Sequence, residues 1–214
     1  PAELDEEGIE KQIADHAYCA TLAQQSGYDG VEIIGSAGYL LSTFLVEKTN
    51  QRTDQWGGSY ENRTRFLREA TKAIRQVIPD TTPLFVRLSA SDWAEGGWDI
   101  TDSVKLSTQL KELGVDLIDV SSGGAIHNAK IDAKPNFQVP FADAIRNQAD
   151  ILTAAVGLIT EAEQAEAIIT SNQADAVFLA RAMLRNPRWA LNAAEKLGVK
   201  ITWPLSLDRG RALT

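Results

Sequence analysis

The chain has 214 residues, 44% hydrophobic and 23% charged, with a formal net charge of −8. This length supports one sizeable core, and the acidic balance argues against a nucleic-acid partner, since no basic stripe exists to displace counterions from phosphates. A single cysteine, Cys19, excludes an internal disulfide and any cysteine-ligated cluster.

The opening "PAELDEEGIEKQ" is polar and unlike a secretory leader. Residues 5–27 have a helical pattern, with Asp5 as N-cap, Gly27 closing the helix, and Cys19 and His16 as structural residues within it. "GVEIIG" (30–35) reads as a buried strand, followed by a loop and a short apolar helix over 38–46. An amphipathic helix is expected over 59–78, capped by Ser59, with Phe66, Leu67, Ala70, Ala73, Ile74 and Val77 on one face. Strand 83–89, helix 99–114 and strand 115–122 follow. A long loop then leads to helix 141–148 and strand 151–157. A capping box from Thr160 to Glu163 opens helix 160–172; strand 175–181, helix 187–198 and an irregular tail complete the pattern. No run approaches the roughly 18 apolar residues of a membrane span. A cytoplasmic protein with no membrane partner is expected.

Five strands, nearly continuous in apolar residues and each followed by a helix, imply an α/β fold with a parallel sheet. A doubly wound sheet and a TIM (β/α)8 barrel both fit that pattern. No G-x-G-x-x-G follows any strand, which favours the barrel. Five units are fewer than eight, and a full barrel takes roughly 250 residues. The expectation is a single domain over 1–214, an N-terminally truncated part of a barrel. Polar candidates gather at the strand C-terminal ends, where barrel active sites lie: Tyr39, Arg87, His127, Gly157, Ala180 and Arg181.

The stretch "GYDGVEIIGSAGYLLSTFLVEKTNQRTDQWGGSYENRTRFL" resembles the old yellow enzyme family of FMN-dependent reductases. "VRLSASDW", "GVDLIDVSSGG", "AVGLIT" and "DAVFLARAMLRNP" continue the resemblance in order, over nearly the whole chain, nearest to the NADPH dehydrogenase branch. It implies a (β/α)8 barrel holding FMN, reduced by NAD(P)H, and acting on a small unsaturated substrate, with no metal. Arg87 would face the flavin pyrimidine edge, where a fixed cation stabilises the reduced ring. Gly157, Ala180 and Arg181 would hold the FMN phosphate, as loops after late barrel strands do. Without the resemblance, Arg181 reads equally well as a surface arginine. The run Thr49–Arg63 is expected to pin a loop through charge-assisted bonds.

The family usually places two histidines in the loop before the tyrosine, and this chain has Ile34 and Ala37 there. Neither side chain can donate a hydrogen bond. The loop "GSAGYL" and the stretch "HNAKI" instead resemble the bacterial 2,4-dienoyl-CoA reductases, which makes Tyr39 and His127 the acid pair, with Lys130 in place of an arginine. A free phenol keeps its proton at neutral pH and can act as an acid. Read without the resemblance, Tyr39 is a buried phenol and His127 a solvated loop residue. Those enzymes also have a cysteine cluster and a second flavin domain; with one cysteine, neither is expected here. "LDRG" (207–210) resembles a tail that places an arginine in a neighbouring subunit's site, which makes Arg209 a substrate-binding candidate and implies a homo-oligomer. The alternatives are a degenerate or truncated relative without turnover, and another phosphate-binding barrel such as an isomerase or aldolase.

Overall fold

The computed structural model describes residues 3–210. α1 (Glu6–Gln25) precedes β1 (Val31–Gly35), followed by α2 (Leu40–Leu45) and α3 (Tyr60–Arg75). β2 (Leu84–Ser89), α4 (Ile100–Glu112), β3 (Leu117–Ser121), α5 (Val139–Ala149) and β4 (Leu152–Ala155) alternate, then α6 (Ala162–Thr170) and β5 (Ala176–Val177). α7 (Arg181–Arg185), α8 (Trp189–Lys196) and a 3-10 turn over Leu205–Gly210 follow.

The strands are all parallel and lie in chain order, β1-β2-β3-β4-β5. A doubly wound sheet reverses its order at a switch point. Sequential order is that of a barrel wall, so the barrel expectation holds. One face of this wall is sealed by helices: Ile33, Val86, Leu88, Ile118 and Val120 are buried with Phe66, Leu67, Leu106, Leu110 and Ile145 in one core. Residues alternating with them point to the other face. Register places Ile34, Arg87, Asp119, Ala154 and Ala176 in one row across that face. This inner face is partly open, with Ile34 at 41% and Leu152 at 54% exposure.

Local signals behave largely as their chemistry requires. Asp5 Oδ1 accepts from Gly8 N–H at 2.8 Å and Ser59 Oγ from Asn62 N–H at 3.2 Å, so both caps hold. The 49–63 loop is pinned as expected. Asn50 Nδ2 donates to the carbonyls of Phe44 and Trp56, Arg52 pairs with Asp54 and Glu3, and Arg63 donates to the carbonyls of Leu45 and Gly58.

Five expectations need correction. Cys19 is exposed rather than a core residue, because it lines a trough between α1 and β1. Val77 is 43% exposed, since α3 ends at Arg75 before the apolar face returns to it. The box at α6 is shifted by one residue: Gln164 Oε1 accepts from the N–H groups of Thr160 and Glu161. The last strand is two residues rather than seven, with Asp175 and Phe178 adding single bonds to Thr153 and Ala155 before the chain turns into α7. The tail is a 3-10 turn over its last described residues.

With β1 and β5 each paired on one side, the 214-residue chain should self-associate through strand edges and the open face. Sedimentation velocity should show concentration-dependent oligomers, weakened by Ile34→Ser with Leu152→Ser. A monodisperse monomer at all concentrations would contradict this.

Candidate functional site

β1 turns at Ser36 into a tight loop in which Ala37 has φ 59° and Gly38 φ 77°. Tyr39 then caps α2 from an extended backbone, and its side chain is 65% exposed. A buried-phenol role for Tyr39 is thereby excluded. The loop after β3 runs past Gly123 and Gly124 to His127, which is exposed.

These two loops touch through their backbones. A Cβ on Gly38 would sit 2.5 Å from Gly124 O, and one on Gly124 would sit 2.5 Å from Ala37 Cα. Only glycines permit this approach, and both have positive φ. Ser89, at the end of β2, ties the loops together. It accepts from Ala37 N–H at 3.0 Å and donates to Gly123 C=O at 2.7 Å. Tyr39 and His127 thus extend from two loops clamped at one point. Ser89 follows Arg87 by two residues, so both side chains occupy the same sheet face.

Arg87 Nη1 donates to Asp119 Oδ2 at 2.5 Å. Asp119 is fully buried, and its Oδ1 has no hydrogen-bond donor. Arg87 keeps 34% of its side chain exposed and lines a cavity of about 600 Å³. Gly157, Ala180 and Arg181 line the same cavity, so four of the sequence candidates converge. Gly157 follows β4 at φ 125°, with the Gln138 side chain against it. Ala180 and Arg181 open α7, whose first N–H groups have no partner within the helix. Arg209 is exposed on the 3-10 turn and lines neither this cavity nor the trough beside Tyr39.

A sequence profile described as the NADH:flavin oxidoreductase / NADH oxidase family matches residues 1–199. The chain belongs to this family. The expected place among the old yellow enzymes is thereby confirmed, and the five β/α units are barrel units. Relatives include NADPH dehydrogenases of Geobacillus sp. (strain WCH70), 48% identical, and Bacillus subtilis (strain 168), 44% identical. Each alignment covers 98% of this chain and 61% of the relative, so the chain spans about three-fifths of their length. Among solved structures, a 2-naphthoyl-CoA reductase with 2-naphthoyl-CoA is 30% identical with TM-score 0.84, over 92% of this chain and 30% of that one. Morphinone reductase is 27% identical with TM-score 0.75, over 95% and 53%.

Several groups of this NADH:flavin oxidoreductase-family site were not singled out from sequence. Ser89 and the Gly38–Gly124 contact become visible only when two loops far apart in the chain are seen together. Ser122 Oγ donates to Gln138 Oε1 at 2.7 Å and accepts from Trp93 Nε1 at 2.9 Å, which fixes Gln138 in the cavity wall. Strand position is a signal that could have found Asp119, since it lies in register with Arg87.

Ser89→Ala should strip both bonds from a buried position and cost about 1–3 kcal/mol. Urea unfolding should show that loss, and hydrogen exchange should speed up at the Ala37 amide. Unchanged exchange at Ala37 would contradict the clamp.

Proposed function

We propose that the chain is the C-terminal portion of an FMN-dependent NAD(P)H oxidoreductase that reduces activated C=C bonds. The observation that supports this reading most is the loop clamp, which sets Tyr39 and His127 beside the strand that supplies Arg87.

The residues present fit FMN. The cavity has a partly exposed guanidinium at one end and unpaired helix-start N–H groups with Arg181 at another, and apolar residues such as Val156, Leu158 and Leu179 between them. Arg87 suits the pyrimidine edge, and Gly157, Ala180 and Arg181 suit the phosphate. Bound FMN would supply hydride chemistry, with NAD(P)H as electron source. Tyr39 would deliver a proton to the substrate carbon, and His127 would hold the phenol or the substrate carbonyl. Its exposure suits this role, because a donor must reach the substrate. Arg209 would bind substrate in a neighbouring copy within a homo-oligomer; its exposed position suits a contact outside its own chain.

A second reading, a non-catalytic flavin-binding relative, is favoured by one observation. Ile34 and Ala37 stand where the family usually has two histidine donors, and neither can polarise a carbonyl. Separating the half-reactions in the complete protein distinguishes the two readings. Tyr39→Phe should slow alkene reduction at least about 10²-fold and leave flavin reduction by NAD(P)H nearly unchanged in stopped-flow traces. Equal losses in both steps would remove Tyr39 as proton donor. Absence of alkene reduction in the parent would favour the second reading.

A further inference from the structure

Gln138 precedes α5, but its side chain makes no capping bond to that helix. It is 6% exposed and lines the cavity with Arg87, Gly157 and Arg181. A carboxamide has two unlike ends, an oxygen that accepts and an NH2 that donates. Which end faces the cavity decides what the cavity can hold.

Two residues behind Gln138 settle that choice. The Trp93 indole N–H can only donate, and Ser122 Oγ accepts it at 2.9 Å. The Ser122 hydrogen then goes to Gln138, 2.7 Å away, where only Oε1 can accept it. With the amide turned round, the hydroxyl would face two donors and its own hydrogen would lack an acceptor. Oε1 is therefore held towards Ser122, and Nε2 is the end left for the cavity. Nε2 meets no acceptor among the described residues and is not sealed from solvent. A Cβ at Gly157 would stand 3.3 Å from it, so the bare glycine keeps it open. Trp93 is itself built into place. Its φ is 56°, a backbone that a bulky residue seldom adopts. Its N–H donates to Ser91 Oγ at 3.1 Å, and its ring packs edge-on against Phe141 with centroids 5.4 Å apart. The indole thus joins the loop after β2 to the start of α5.

We propose that Trp93 is a positioning residue of the cavity: through Ser122 it holds the Gln138 carboxamide with Nε2 turned inward, where it donates to a phosphate oxygen of bound FMN. The inference rests on the proposed FMN reading and deepens it. Arg87, Arg181 and Gln138 Nε2 offer only N–H donors, so the cavity selects a ligand rich in acceptor oxygens. Gln138 packs on Gly157, which that reading gives to the phosphate end, so the phosphate rather than the ring is its partner.

Binding to the complete, flavin-stripped protein, followed by flavin fluorescence, tests this with FMN and with riboflavin, which lacks the phosphate. Trp93→Phe keeps an aromatic ring and removes the N–H. It should weaken FMN binding about tenfold and leave riboflavin binding unchanged. Gln138→Leu should do the same, and adding Trp93→Phe to it should weaken binding no further. Ser122→Thr keeps the hydroxyl and should bind FMN as the parent does. A Trp93 that only supports the fold would weaken both flavins together, or add its full loss to that of Gln138→Leu. Either result would overturn the proposal, as would unchanged FMN affinity in Trp93→Phe. A parent that binds neither flavin would instead remove the FMN reading, and with it the ligand assigned to Gln138.

Discussion

The in-register parallel pairing of β2 and β3 is the constraint on which the site depends. It sets Arg87 opposite Asp119 on the face away from the helices. There a guanidinium can meet a fully buried carboxylate and still expose a third of its side chain to the cavity. A slip of one residue would turn Arg87 into the helix-packed core, where no partner awaits it. The same pairing carries Ser89 to the strand end, from which it joins the loops after β1 and β3. Local strand geometry thus fixes both the cationic end of the cavity and the clamp beneath Tyr39.

Much of this was legible in the sequence. Apolar strands alternating with capped helices specify a parallel sheet, because strands apolar on both faces need both faces covered, and helical crossovers provide that cover. Asp5 and Ser59 each bond within the helix they cap, so no distant partner is needed to read them. Cys19 failed because helical periodicity marks a face but does not say what covers it. The face of α1 bearing Cys19 looks onto a trough. The box at α6 failed by one position because Thr160 and Glu161 both offer N–H groups to Gln164. The short helix at 181–185 has too few residues to show a period.

The site candidates divide in the same way. Arg87 lies late in β2, Gly157 follows β4, and Ala180 and Arg181 follow β5, and parallel order places the C-terminal strand ends at one rim. Tyr39 and His127 belong to adjacent loops by the same logic. On the proposed reading, with Ile34 and Ala37 where ring donors usually stand, the polar work at this rim would fall to Tyr39, His127 and the backbone of a loop held by two glycine contacts. On the proposed reading that substitution is chemically informative, because Arg87, Gly157, Ala180 and Arg181 would serve the flavin while the two usual ring donors are replaced.

The central claim is that Arg87 and the rim of β4 and β5 form a flavin cavity within these 214 residues. The direct test is an FMN titration of the purified chain by difference absorbance, with Gly157→Val run alongside. The account predicts a perturbed flavin band that saturates at one FMN per chain for the parent and is lost in the variant, whose circular dichroism is otherwise unchanged. An FMN spectrum in the presence of the parent that is indistinguishable from that of free FMN would contradict it.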